Sequence, residues 1–208
     1  NLLTVTATSQ TNVLCHNPST GTIGITMNGG TAPYTQQWTK DGVNYSTNKN
    51  LIDLGAGTYQ VIVTDAVGHN CTATLLNPII ITQPTAPLAI NDLVIKNLTG
   101  FETLNGSIKV AITGGTSPYK YSFGSQSNVS IVGSELLLDN LPIGSYTLTI
   151  TDANGCSTFN NYNLTQPDKL LITDISQTPS STIKCYGDKF GILEATIMGG
   201  VLPYTYNW

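Results

Sequence analysis

The chain has 208 residues, 40% of them hydrophobic and only 10% charged, with a formal net charge of −4 at neutral pH. All 8 basic residues are lysines, and so few positive charges, with no basic cluster, exclude nucleic acid and anionic membrane as partners. No apolar run approaches the ~18 residues a membrane-spanning helix needs, so no membrane insertion is expected.

Strand signals begin at once. Thr4 to Thr8, Thr22 to Met27 and Tyr59 to Thr64 alternate apolar and polar residues and are rich in β-branched side chains, the period of a half-buried strand. Turn signals fall between them at Gly29-Gly30, Asp41-Gly42, Gly55 to Gly57 and Asn154-Gly155. Ser107 to Thr113 and Tyr146 to Thr151 repeat the strand pattern further along. Short strands separated by turns every 8–12 residues or so indicate an all-β sandwich.

The same order recurs. GGTAPYTQQW, GGTSPYKYSF and GGVLPYTYNW are set 85 residues apart, at Gly30, Gly115 and Gly200 (115−30, 200−115). Gly29, Gly114 and Gly199, Pro33, Pro118 and Pro203, Tyr34, Tyr119 and Tyr204, and Trp38, Phe123 and Trp208 keep that step. A period this long marks whole domains in tandem. The expected units are 1–84, 85–167 and 168–208, the last being the first half of a third unit.

Each unit reads as an immunoglobulin-like sandwich. In the first, strand A covers about 3–9, B about 21–28, C about 34–39, E 51–54, F about 58–65 and G about 71–82. Trp38, Phe123 and Trp208 take the strand C position that plugs such a core. Tyr59 and Tyr146 open strand F, where a phenol bonds back across the E–F corner. Pro84 and Pro167 close the first two units and leave short, stiff linkers. The units are therefore expected to extend head to tail as an elongated rod. The pattern is cut at both ends, which predicts a longer parent.

Cys15, the Gly-Gly-x-x-Pro-Tyr tract, its aromatic, Gly57-x-Tyr59, Thr64-Asp65-Ala66 and Cys71 resemble the SprB-type repeat of gliding-motility adhesins on Bacteroidetes cells. Gly114, Gly115, Pro118, Tyr119, Gly144, Tyr146, Thr151 to Gly155 and Cys156 resemble it again. The resemblance implies a very large cell-surface filament, extracellular and exported by the type IX system. Its partners would be neighbouring repeats, external surfaces or polysaccharide, and the gliding and secretion machinery. Two departures stand out: Gly100 stands where the second unit should have its early cysteine, and the first unit reads Gly68-His-Asn-Cys71 with two extra residues in the turn.

Four cysteines allow three full pairings. Cys15 lies in the A–B loop and Cys71 at the F–G turn, at opposite ends of one sandwich. A strand of about 7 residues spans roughly 23 Å, whereas a disulfide needs Cα atoms within about 7 Å. The A–B loop of one unit faces the F–G turn of the next, which pairs Cys15 with Cys156 and leaves Cys71 and Cys185 to partners outside this segment. It also predicts that the third unit has no late cysteine, since Gly100 leaves nothing to meet one. A Cys15–Cys71 bridge and unpaired thiols remain open alternatives. An inter-unit staple implies an oxidising compartment.

Other residues have plainer readings. The Gly-Gly-x-x-Pro-Tyr tract is a ligand loop or, more simply, a turn in which glycine takes positive φ and Pro sets the exit. Asp65 and Asp152, with Asp92 and Asp174 in the strands that open units two and three, are candidates for calcium at the joints. The simpler reading is Asp accepting the amides of its own turn, and no cofactor is expected. His16 and His69 lack the convergent partners of a zinc site or a triad, so no enzyme is expected. Tyr121, Tyr162 and Tyr206 could form a sugar-stacking face, or simply alternate on strands.

The function expected is a structural or adhesive repeat acting as a stiff spacer and surface contact. Alternatives are a polysaccharide-binding module and an accessory array on a secreted enzyme. Ile192, Ile197, Leu202 and Trp208 of the half unit should be exposed for want of a facing sheet.

Overall fold

The computed structural model describes residues 1–66, 71–177, 186–187 and 192–207. Among them every helix or strand element is a strand. In the first repeat, β1 (Thr4–Thr11), β2 (Gly21–Asn28) and β5 (Leu51–Leu54) form one sheet in the order β1-β2-β5. β3 (Thr35–Lys40), β4 (Val43–Ser46), β6 (Gly57–Thr64), β7 (Thr72–Thr74) and β8 (Ile79–Ile81) form the other. Its order is β4-β3-β6-β7, with β8 also on β6. All pairings are antiparallel. Strands A, B and E therefore face C′, C, F and G, an immunoglobulin-like sandwich.

The second repeat copies this order. β9 (Ala89–Lys96), β10 (Gly106–Thr113) and β13 (Glu135–Leu141) make the order β13-β10-β9. β11 (Lys120–Phe123), β12 (Gln126–Ser130), β14 (Gly144–Thr151) and β15 (Ser157–Leu164) make β12-β11-β14-β15. The alternation predicted from sequence decides which side chains face inward. Ile23 and Ile25 on β2, and Val61 and Val63 on β6, point into one buried cluster with Trp38 and Leu54. Ile108, Val110 and Ile112 on β10, with Leu148 and Ile150 on β14, fill a second.

Trp38 is fully buried, and its indole N–H donates to the Asn48 carbonyl at 2.9 Å, so the ring is satisfied as well as packed. Phe123 takes the same place in repeat two and stacks on Tyr146 with ring centroids 5.1 Å apart.

Strand G of the first repeat departs from the uninterrupted strand expected over 71–82. It is split into β7 and β8 by Leu75 to Pro78. Pro78 lacks the N–H a ladder needs, and this stretch is two residues longer than its continuous counterpart β15 plus Thr165 (Cys71 to Thr82 against Cys156 to Thr165). The surplus is absorbed as a bulge.

The half repeat shows β16 (Leu171–Gln177) paired with β17 (Leu193–Met198). Residues 201–207 form no strand C. In the two full repeats strand C is held between C′ and F, whereas residues 201–207 pair with no strand among the described residues. Ile192 and Leu202 are exposed there, and Ile197 is half-buried. Trp208 lies outside the described residues.

Candidate functional site

The residues singled out by the repeat converge on the two ends of each sandwich. One end is built by the glycine tract. Gly29 and Gly30 have φ of +71° and +63°, and Gly114 and Gly115 have +66° and +60°, the left-handed region that glycine enters without steric cost. Space demands glycine as well. A Cβ on Gly29 would collide with the Leu2 carbonyl, one on Gly114 with the Pro87 carbonyl, and one on Gly199 with the Lys169 carbonyl.

The close approach serves a hydrogen bond. Gly30 N–H donates to Asn1 O at 2.9 Å, Gly115 to Ala86 O at 3.0 Å and Gly200 to Asp168 O at 2.8 Å. Each tract thereby grips the segment that leads into its own strand A. Pro33, Pro118 and Pro203 follow cis peptide bonds. The Tyr34, Tyr119 and Tyr204 hydroxyls close the loop by donating to the carbonyls of Gly29, Gly114 and Gly199.

Asp65 and Asp152 lie at the same end, both buried. Asp152 Oδ1 accepts the amides of Asn154 and Cys156, each at 2.9 Å, and Oδ2 accepts that of Thr116 at 2.9 Å. Asp65 accepts the amides of Cys71 and Thr31 in the same way, at 2.9 and 3.3 Å. Each carboxylate ties its F–G turn to its B–C loop, and charge-assisted bonds of this kind exceed neutral ones in strength. Ala66 N–H to Thr31 O at 2.8 Å and Ala153 N–H to Thr116 O at 2.9 Å complete the tie.

The opposite end is built by the A–B loop. Val13 N–H donates to Thr82 O, and Leu98 N–H to Thr165 O, both at 2.9 Å. Asn12 and Asn97 return the contact by accepting the Thr82 and Thr165 amides at 3.0 Å. His16 Nδ1 lies 2.9 Å from Pro84 O. The tyrosine corners sit here too, with the Tyr59 hydroxyl on Gly55 O at 2.9 Å and that of Tyr146 on Pro142 O at 2.7 Å.

The A–B end of repeat one meets the F–G end of repeat two. Cys15 and Cys156 are joined in a disulfide with Cα atoms 5.7 Å apart, and Asn154 Nδ2 donates to Leu14 O at 2.8 Å. The contact is head to tail, because the two loops belong to opposite ends of their sandwiches. Cys71 is free and exposed. Cys185 lies outside the described residues, as do His69 and Asn70.

The aspartates weighed as calcium ligands are spread out. Asp92 sits mid-strand on β9 and accepts the Tyr162 hydroxyl at 2.6 Å, away from the loops that form the joint. Asp92 shares the inward face with Ile90, two residues before it, and lies opposite the buried Val110; which side chain meets it across the sandwich was not legible from alternation. Burial and the bond to Asp92 push the Tyr162 pKa up to about 12. Burial, with Tyr45 and Asp41 nearby, does the same for Tyr59. Among the described residues no cluster of three or more His, Cys, Asp or Glu is arranged to hold a metal ion. Of the three tyrosines weighed for stacking, Tyr162 is buried, Tyr121 is bonded to Gln126 and Tyr206 is exposed.

The family model of the SprB repeat matches residues 7–43 and 93–123, the segments from strand A to strand C of each full repeat. A search of curated proteins finds no match. Among solved structures, the chain aligns with the crystal structure of the N-terminal eight Ig domains of Down Syndrome Cell Adhesion Molecule isoform 1.30.30, at 11% identity and a TM-score of 0.49. The alignment covers 96% of this chain and 28% of that one.

Proposed function

We propose that this chain, two segments of which match the SprB repeat model, is a spacer and contact segment of a long extracellular filament on a cell surface. Its work is mechanical: it holds distal parts away from the cell and transmits force along the chain. The observation that supports this best is the joint. Within it, a covalent bridge crosses from one repeat to the next, and each repeat grips its own incoming linker through the glycine tract. Force along such a chain loads ladders and staples, with no demand for a reaction centre. The disulfide fits an oxidising exterior.

Solution scattering of the oxidised chain tests the mechanical reading. A stiff head-to-tail particle is expected, with a maximum dimension that changes little between low and high salt. A compact particle, or repeats that hinge freely, would count against it. Labelling of intact source cells by antibody to this segment tests its place at the surface.

A second reading, contact with polysaccharide, draws on one feature. Phe159 is 62% exposed on the outer face of β15, opposite Thr149 and beside the Thr147–Asn161 hydrogen bond. An exposed ring amid hydroxyls and carboxamides suits a sugar face. Binding of the chain to soluble polysaccharides, lost in Phe159→Ala, would favour it.

A further inference from the structure

We propose that the end of repeat one that presents Cys71 is a docking face for the A–B loop of a preceding SprB-type module, which it captures through a disulfide. The proposal rests on the filament reading above and adds a specific partner: a loop carrying cysteine at the position that Cys15 holds here.

The described residues that hold the cysteine match between the two repeats, and in repeat two that cysteine is already bonded, although the turn before Cys71 is two residues longer than the one before Cys156. Cys71 and Cys156 are one repeat step apart. In repeat two, the Asp152 carboxylate holds the Cys156 amide at 2.9 Å, Asp152 N–H donates to Cys156 O at 2.9 Å, and the sulfur is bonded to Cys15 of the module before it. In repeat one, Asp65 holds the Cys71 amide at 2.9 Å and donates to Cys71 O at 3.1 Å, while the thiol is free and exposed. The supporting loop matches as well, with Ala66 on Thr31 as Ala153 is on Thr116.

A second observation fixes where the partner would enter. Asn1 O accepts from Gly30 in the place where Ala86 O accepts from Gly115. Ala86 belongs to the linker that delivers repeat one to repeat two. A module arriving through Asn1 would be delivered to Cys71 by the same path that brings Cys15 to Cys156.

The chemistry is an oxidation of two thiols. The S–S bond forms as each thiol gives up a proton and an electron, and an external small-molecule disulfide is reduced to two thiols. The joint after repeat two differs. Gly100 stands at the Cys15 position, so that joint cannot be stapled in this way. It carries instead the Lys169 ammonium over the Phe101 ring, at 6.0 Å. The partner class is therefore narrow: a module with cysteine, not glycine, in its A–B loop.

The experiment places residues 1–85 ahead of Asn1 of the full chain, so that a second Cys15 loop precedes repeat one. Thr6→Ser in the added copy marks its peptide by mass, and Cys71→Ser in that copy removes its own late thiol. Refolding with reduced and oxidised glutathione, then mapping unreduced peptides, should show the added Cys15 linked to Cys71 and the resident Cys15 still linked to Cys156. Alkylation of Cys71 should slow at least tenfold against the chain without the added copy. The resident bridge reports correct folding. If it forms while Cys71 stays open to alkylation, or joins another cysteine, the proposal fails and the filament reading survives. A version with Cys15→Gly in the added copy, imitating Gly100, should leave Cys71 free.

Discussion

Asn154 donates its side-chain amide to the Leu14 carbonyl at 2.8 Å, across 140 residues of chain, and reaches Thr116 in its own B–C loop at 3.0 Å with the same nitrogen. One side chain thus couples the internal tie of a sandwich end to the module docked against it. Beside it, the Cys15–Cys156 bridge closes a loop with a sequence separation of 141.

Opening that bridge should destabilise the chain through its unfolded state. A loop of this length restricts the unfolded chain by about 5 kcal/mol on the chain-entropy account, which is an upper figure where modules unfold separately. Cys15→Ser with Cys156→Ser should lower the urea midpoint while leaving the strand content seen by circular dichroism unchanged. Hydrogen exchange should speed up first at Leu14 and in the 152–156 turn. An unchanged midpoint with unchanged exchange would mean the staple carries no load.

The glycine tract gives a matched pair of substitutions. Gly114→Ala adds a methyl in the left-handed region and drives it into the Pro87 carbonyl. Gly124 has φ of +57°, and a methyl added there would have nothing within 4 Å. Gly124→Ala should therefore cost only the conformational strain, about 1–2 kcal/mol, whereas Gly114→Ala should cost several kcal/mol more by breaking the grip on Ala86. Equal losses in denaturant titrations would show that the close approach is unimportant.

Replacing Asp152 by Ala removes the acceptor for three backbone amides. With hydrogen bonds to charged groups at about 1.5–3 kcal/mol each, and some amides rehydrated, a loss of roughly 3 kcal/mol is expected. Asp152→Asn keeps one carbonyl acceptor and should lose less. Because the turn also presents Cys156, both variants should slow formation of the Cys15–Cys156 bridge during oxidative refolding, read by quenched peptide maps.

Alkaline pH should weaken both full repeats. Tyr59 and Tyr162 are each raised from 10.0 to about 12 in the fold, so each favours its neutral form there. Their contribution is complete below pH 10 and is lost as pH rises through about 12, because the unfolded chain ionises first. After allowance for solvent screening, each tyrosine contributes at most about 2 kcal/mol. Tyr59 faces Tyr45, Asp41 and the Lys40 ammonium, and Tyr162 faces Asp92 and Asn160. Melting temperatures at pH 8 and 11 should differ less in Tyr162→Phe than in the unaltered chain. An equal drop in both would assign the alkaline loss to other groups.

Legibility in the sequence differs from residue to residue. The sandwich was legible because Ile23 with Ile25, and Val61 with Val63, keep a period of two in runs rich in β-branched residues, and because Gly57-Thr-Tyr59 and Gly144-Ser-Tyr146 mark the same corner twice. Those signals act over a few residues. Two features gave no such signal. The bond from Tyr162 to Asp92 joins residues on facing sheets, 70 apart in the chain, and the break between β7 and β8 depends on where a surplus of two residues finds room.

Strand period, turns and the step of 85 residues that repeats them are written locally in the chain, since periodicity and backbone preference need no partner to act. The close approach that demands Gly-Gly, the carbonyl each tyrosine caps and the reach of Asn154 to Leu14 arise only on folding. Those contacts join segments distant in the chain, and their geometry exists only once strand order has set which loops share an end.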